Sequence, residues 1–105
     1  MINLDHGSDR LVLQSGPTTV VLDKNAGKAI LDRKSLLWAR DPVERPLSSI
    51  SGARVSTKID EKSKANICSL TLLVREDDGW VLRASDQQDA AAAATTVRLF
   101  LGIAE

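Results

Sequence analysis

Residues 85–102 read SDQQDAAAAATTVRLFLG, and they decide the fold because they form the one long helix that the sequence predicts. Ser85 and Gln88 have the spacing of a capping box, in which each side chain binds the backbone N–H of the other residue. Five consecutive alanines favour the helix, and Gly102 favours a left-handed end. We therefore predict a helix from Ser85 to Gly102.

One face of this helix is apolar. Residues at i, i+4, i+7 and i+11 form a stripe of Ala90, Ala94, Val97 and Leu101. The stripe is small at its start and bulky at its end, so we predict that it rests on strands and then fills the open end of a barrel or sandwich. Leu99 and Ile103 lie roughly opposite the stripe. They are either covered by Ile2 and Leu4, or ordinary surface residues, or a small self-association patch.

Composition excludes several classes of function. The 105 residues have the size of one domain, and 14 basic and 14 acidic side chains give a net charge of zero. We therefore expect no nucleic-acid partner, because phosphate binding needs a basic surface. Cys68 is the one cysteine, and its alternating context predicts a buried apolar residue rather than a reactive thiol. We expect a cytoplasmic protein, because Met1–Arg10 lack a signal-like apolar run and no stretch approaches a membrane span of ~20 residues.

Alternating and β-branched segments predict seven strands within residues 9–84, after a tail or edge strand over residues 1–8. The predicted strands are Arg10–Gln14, Thr18–Leu22, Lys28–Arg33, Leu36–Ala39, Leu47–Asp60, Ile67–Glu76 and Trp80–Ala84. The two prolines of Asp41–Pro46 are expected to break strand pairing and to mark the crossover between two sheets. Gly52 indicates a bend or bulge, and Asp77-Asp78-Gly79 indicates a hairpin turn.

This order of elements resembles that of a pleckstrin-homology-like (PH-like) domain of the small bacterial type. The resemblance is carried by Arg45–Val55, which enters the second sheet, and by Gly79–Gly102, the last strand and the helix. It implies one domain over residues 1–105, mainly β, in which two near-orthogonal antiparallel sheets form a seven-stranded split barrel capped by the helix. A lipocalin-like or other small barrel with a helix is the structural alternative. PH-like domains include lipid-headgroup binders, peptide binders and assembly modules, so the fold does not fix the function.

No catalytic, cofactor or metal site is predicted. His6 and Asp5 are neighbours in the predicted tail, where adjacent residues rarely cooperate as acid and base. The serines lack the Gly-x-Ser-x-Gly setting of hydrolase nucleophiles, and no phosphate-binding glycine-rich loop is present. We therefore expect a protein that is not an enzyme and uses no cofactor.

Two candidate binding surfaces remain. The first is an interaction patch formed by Leu99, Ile103 and Trp38, with the alternative that Trp38 and Trp80 pack in the core or at a sheet corner. Free sheet edges at Val12–Gln14 or Ile67–Val74 could also accept a strand from a neighbour.

The second surface is a candidate anionic-ligand patch formed by Lys24, Lys28, Arg33 and Lys34. Asp23 and Asp32 stand among these cations and favour a solvated surface of mixed charge instead. PH-like phosphoinositide binders use basic residues in the loop between their first two strands. That loop is uncharged in this chain, Ser15-Gly16-Pro17, so the phosphoinositide site is not carried over.

The sequence thus favours a non-enzymatic protein-interaction or assembly module that binds itself or an unknown protein. The alternative is a peripheral module that touches a membrane surface or anionic lipid through the four cations, without a transmembrane segment.

Overall fold

The computed structural model describes residues 2–33, 42–75, 77 and 79–103, and these form a mainly β protein with one C-terminal helix. The described strands build two antiparallel sheets, ordered β1-β2-β3-β4-β5 and β6-β7-β8. The elements are β1 (Asn3–His6), β2 (Arg10–Ser15), β3 (Thr18–Asp23), β4 (Lys28–Arg33), β5 (Val43–Pro46), β6 (Ile50–Ile59), β7 (Asn66–Val74), β8 (Trp80–Ala84) and α1 (Gln87–Leu101).

The predicted number of seven strands is wrong, because the described residues contain eight. Asn3–His6 pairs with β2 as an edge strand, one of the two alternatives for the N-terminal residues. Val43–Pro46 pairs with β4, so the predicted break in pairing at Asp41–Pro46 is wrong. Proline is compatible with β5 because this strand lies at the edge of its sheet, where one side of the backbone needs no partner. The predicted strand Leu36–Ala39 lies outside the described residues.

The second sheet begins three residues later than predicted. Leu47–Ser49 form a single 3-10 turn, and β6 starts at Ile50. The register shifts between Ile50 and Gly52, which confirms the bulge expected at Gly52. The predicted hairpin after β7 is also confirmed, with Gly79 at φ 106° before β8.

The core consists of aliphatic side chains from alternate strand positions and the apolar face of α1. Its largest fully buried members are Leu11, Leu13, Leu22, Leu70, Leu72, Leu82, Val20 and Val97. Cys68 is 7% exposed and packs in the core as the sequence predicted, and Trp80, for which core and surface were alternatives, is 2% exposed and packs there too. The buried positions of the second sheet lie on its inner face, which α1 and the first sheet cover, except Gly52 at the bulge, which pairs with Leu73.

Among the described residues, two polar contacts join the sheets. The Ser15 hydroxyl, at the end of β2, donates a hydrogen bond to the Arg83 carbonyl on β8. The Arg45 guanidinium on β5 forms an ion pair with the Asp77 carboxylate after β7. The distances from Nε to Oδ2 and from Nη2 to Oδ1 are both 3.1 Å. Both contacts link elements that no strand pairing joins, so they help to fix the position of one sheet relative to the other.

Helix α1 starts one residue later than the predicted capping box. Asp86 is the N-cap and accepts from the Asp89 N–H at 2.7 Å. Asp89 Oδ2 in turn accepts from the Ser85 N–H at 2.9 Å and the Ile2 N–H at 2.9 Å. The predicted capping box of Ser85 and Gln88 is therefore wrong. The carboxylates of Asp86 and Asp89, which have the same three-residue spacing, accept the backbone N–H groups instead, because carboxylates are stronger acceptors. Gly102 ends the helix at φ 68°, as predicted.

Candidate functional site

The members of the predicted interaction patch lie in different places. Leu99 is 76% exposed on the outer surface of α1. Ile103 follows the turn at Gly102, where it is half-buried and lines a cleft at the end of the helix. Trp38 lies outside the described residues. The described part of the chain therefore gives Leu99 and Ile103 separate surroundings.

The predicted cationic patch is divided in the same way. The Lys28 ammonium forms an ion pair with Glu44 Oε1 at 2.7 Å, and the hydrogen bond and charge of Glu44 raise the pKa of Lys28. Arg33 occupies the opposite end of β4, about 16 Å from Lys28 at the rise of an extended strand. Lys34 lies outside the described residues. Lys24 is thus the member of the patch that remains at a cleft.

The two sheet edges predicted for strand addition are wrong. Val12–Gln14 belongs to β2, which pairs with both β1 and β3, and Ile67–Val74 belongs to β7, between β6 and β8. The true edges in the described residues are β1, β5, β6 and β8.

Three of these edge strands are less accessible to a further strand, because they contact other elements or are short. The flanks of β1 contact α1, because Ile2 donates to Asp89 and the His6 ring packs on Phe100. Strand β5 has four residues and a proline, and β8 meets β2 through the Ser15 contact. Strand β6 has ten residues and, among the strands that the structure describes, pairs with β7 alone, so it offers the longest open edge of that set.

The backbone direction along β6 follows from the hydrogen bonds at its end. The Asp60 N–H donates to the Ala65 carbonyl at 2.9 Å, so position 60 faces the β7 side of the hairpin. In an antiparallel ladder alternate residues bond to the same neighbour. Positions 54, 56 and 58 therefore bond to β7, whereas Ala53, Val55, Thr57 and Ile59 direct their N–H and C=O groups outward.

Arg98 binds the first of these outward-facing backbone groups. Its Nη2 on α1 donates to the Ala53 carbonyl at 2.6 Å, which agrees with an outward direction for position 53. No strand pairs with the next outward residues in the part of the chain that the structure describes. We call the outward backbone of Val55, Thr57 and Ile59 the β6 edge.

The far end of β6 projects beyond the core. Ala53 and Ile59 lie on the same face of the strand, yet Ala53 is buried and Ile59 is 67% exposed. Asp60 follows directly, and hydrogen bonds from the Ser63 hydroxyl and the Lys62 N–H lower the pKa of its carboxyl. The projecting hairpin thus presents apolar side chains on one face and charged side chains on the other.

A cleft of about 440 Å³ lies at the other end of β6, where α1 ends. We call it the helix-end cleft. Its inner wall is apolar and consists of the buried Ile50 with the half-buried Leu47, Leu101 and Ile103. Its rim carries two cations, Lys24 and Arg75, and two hydroxyls, Ser48 and Ser51. No acidic side chain lines it among the described residues.

Both cations of the rim are anchored through their backbones. The Lys24 N–H donates to the Asp9 carbonyl at 2.8 Å, and the Arg75 N–H donates to the Ser49 carbonyl at 2.8 Å. The Lys24 ammonium lies 4.4 Å from the centre of the Phe100 ring, which is a cation–π distance. The backbones that carry the two positive side chains are therefore held by hydrogen bonds at the rim of the cleft.

His6 and Asp5 do not form an acid–base pair. His6 shares a face with Leu11 and packs edge-on against Phe100, with ring centres 5.8 Å apart. Asp5 pairs with Val12 and therefore points to the opposite, outer face of the first sheet. Among the described residues, no three His, Cys, Asp or Glu side chains are grouped as metal ligands.

Sequence reasoning missed the β6 edge and three of the four polar side chains on the rim of the helix-end cleft. One signal for the edge was present, because Leu47–Asp60 was the longest alternating segment and exceeded the strand expected to cover it. The rim residues come from the turn after β3, the adjoining 3-10 turn and start of β6, and the turn after β7, so Lys24, Ser48 and Arg75 are distant in the sequence.

Within the described ranges, no helix combines the length and the apolar character needed to cross a membrane. Comparison of the chain with protein-family models, with curated proteins and with solved structures gives no match in any of the three.

Proposed function

We propose that this protein is a non-enzymatic assembly module in which two copies pair through their β6 edges. The observation that carries the proposal is the open backbone of Val55, Thr57 and Ile59 on a ten-residue edge strand. Unpaired strand edges are templates for another chain, and proteins that avoid such pairing place charges or prolines there. Val55, Thr57 and Ile59 include neither a proline nor a charged side chain, and the charged Arg54 and Lys58 of the same strand lie on its other face.

Side-chain complementarity favours one antiparallel register, centred on Thr57. This register sets Val55 opposite Ile59 of the second copy and Thr57 opposite itself. On the other face, Arg54 lies opposite Asp60 of the second copy, an attractive cross-strand pair. A register centred on Ser56 sets Arg54 opposite Lys58 of the second copy, and a register centred on Lys58 sets Lys58 opposite itself. Repulsion between like charges disfavours both.

The chain also limits the pairing to residues 54–60. With Thr57 at the centre, the position opposite Ala53 would be residue 61, which lies in the turn between β6 and β7. The Ala53 carbonyl, already bound by Arg98, is therefore not needed. Two three-stranded sheets would become one six-stranded sheet, with a two-fold axis between the copies.

The expected affinity is weak. Three outward pairs with two hydrogen bonds each contribute about 6 kcal/mol, at a net ~1 kcal/mol per bond. Covering two exposed Ile59 side chains adds about 2 kcal/mol. Loss of translational and rotational freedom costs about 4 kcal/mol at its lower bound. At that bound ~4 kcal/mol remains, so the tightest Kd expected is about 1 mM, typical of a transient contact.

The test is self-association of the purified chain up to about 2 mM, followed by sedimentation velocity and amide chemical shifts. We expect a monomer–dimer equilibrium with the largest shifts at positions 55, 57 and 59. Arg54→Asp and Asp60→Arg should each abolish the dimer, and mixing the two variants should restore it as a heterodimer. Arg33→Asp, the same charge change on the first sheet, should leave it intact. A chain that stays monomeric throughout, or variants that do not complement on mixing, would refute the proposal.

The proposal includes a PH-like split barrel with near-orthogonal sheets and the cytoplasmic location expected from the sequence. Its support is the order of elements, since β2–β5, β6–β8 and α1 give four strands, three strands and a helix once the N-terminal edge strand β1 is set aside. The Ser15–Arg83 contact, which joins β2 to β8 at one corner, is further support for the split barrel. The membrane-binding alternative has less support, because Lys28 is paired and Arg33 is distant from it.

A further inference from the structure

We propose that the helix-end cleft binds a single-chain amphiphile with an anionic head, either a carboxylate or a phosphate ester. The site is separate from the β6 edge, because it lies at the opposite end of β6 and shares no residue with that edge. The inference therefore does not depend on self-association.

The distribution of polarity in the cleft identifies the class of ligand. The inner wall is apolar, with Ile50 only 4% exposed and Leu101 and Ile103 half-buried beside it. The polar groups stand at the rim, where Lys24, Arg75, Ser48 and Ser51 are exposed. A ligand that covers the wall needs an apolar body, and one that meets the rim needs a head that accepts hydrogen bonds.

The charge of the rim selects an anion. The chain as a whole has a net charge of zero, yet the cleft has two cations and, among the described residues, no acidic lining side chain. The nearest described carboxylate along the chain from Arg75 belongs to Asp77, which is bound by Arg45. Lys24 and Arg75 form no ion pair with the described acidic residues. An anionic head is the partner that neutralises both.

The size of the cleft agrees with a small ligand. A volume of about 440 Å³ lies within the range of roughly 300–1,000 Å³ typical of ligand pockets. The backbone around the cleft is also held in place without a ligand, since the backbones of Lys24 and Arg75 are hydrogen-bonded and Gly102 sets the turn before Ile103. A ligand can therefore bind without ordering a loop first, which reduces the entropic cost of binding.

The test uses amide chemical shifts and calorimetry with dodecanoate and dodecyl phosphate below their micelle concentrations. We expect both to bind with shifts at the cleft, and dodecyltrimethylammonium, inorganic phosphate and acetate not to bind. Lys24→Gln and Arg75→Gln should each weaken dodecanoate about three- to tenfold. Ile103→Ser should weaken it through the apolar wall, and Lys62→Gln on the β6–β7 loop should have no effect.

Equal binding of the cationic amphiphile, or unchanged affinity in both cation variants, would overturn the inference. Binding to phosphatidylglycerol vesicles without binding to monomeric dodecanoate would also overturn it, because it would indicate a membrane surface instead. Repeating the titration with Thr57→Pro, designed to block β6 pairing, separates the two proposals. Dodecanoate should bind this variant as it binds the wild-type chain, whether or not the wild-type chain self-associates.

Discussion

The direction of the β6 backbone can be tested with two proline substitutions at adjacent, similar side chains. Proline removes one backbone N–H and is tolerated in sheets mainly where that N–H has no partner. The ladder geometry directs the Ser56 N–H toward β7 and the Thr57 N–H toward the open edge. We therefore expect Ser56→Pro to destabilise the fold much more than Thr57→Pro.

The difference in free energy of unfolding between the two proline variants measures the loss of the backbone hydrogen bond between β6 and β7. Both prolines impose the same φ on an extended residue, so this cost cancels. Ser56→Pro also loses one net hydrogen bond, about 0.5–1.5 kcal/mol, and leaves the Ser69 carbonyl facing the proline ring without its donor, about 1 kcal/mol or more. Thr57→Pro loses only the weak 3.9 Å contact between its hydroxyl and Cys68 Sγ. We expect a difference of about 2 kcal/mol, or roughly 8–16 °C in Tm.

Urea unfolding followed by circular dichroism and tryptophan fluorescence measures this difference, since the described Trp80 is buried. Ser56→Ala and Thr57→Ala serve as matched controls for loss of the side chain, and both should unfold within about 0.5 kcal/mol of the wild-type chain. Equal stability of the two proline variants would refute the assigned backbone direction. Greater damage from Thr57→Pro would show that position 57 faces β7, and the proposed pairing of two copies would then fail with it.

Three further outcomes are expected. Arg45→Ala, which breaks the two-point contact between the sheets, should lower the free energy of unfolding by about 1–2 kcal/mol in urea titrations, whereas Lys28→Ala should cause no measurable change. Burial alone would raise the pKa of the Asp89 carboxyl, but hydrogen bonds from Ser85 and Ile2 hold this pKa below the ordinary 3.8. The ionised carboxylate should therefore contribute its full stabilisation of the fold above pH 3.8, and this contribution should be lost as the pH falls through the lower pKa of the folded state. Asp89→Asn should therefore flatten the acid side of the stability profile, and an unchanged acid side would contradict this role. Leu82→Ala should cost about 2–5 kcal/mol in the same titrations, because it opens a cavity in a fully buried position.

Local patterns in the sequence determined most of the secondary structure. Alternation located β2, β3, β4, β7 and β8, and the alanine-rich segment located the helix and its buried face. These features depend on side chains near one another in the chain, which is why they can be read from periodicity. The capping residue was missed by one position, because the carboxylates of Asp86 and Asp89 are stronger acceptors than the predicted side chains of Ser85 and Gln88.

The tertiary structure alone decided the edges and the sites. Whether Val43–Pro46 is a loop or an edge strand depends on the presence of β4 beside it, and proline forbids only the central position. The β6 edge exists because β6 is longer than the core that covers it and Arg98 occupies only one of its carbonyls. The helix-end cleft joins side chains from residues 24 to 103. Such contacts leave no periodic trace in the sequence, because each requires that distant segments first fold against one another.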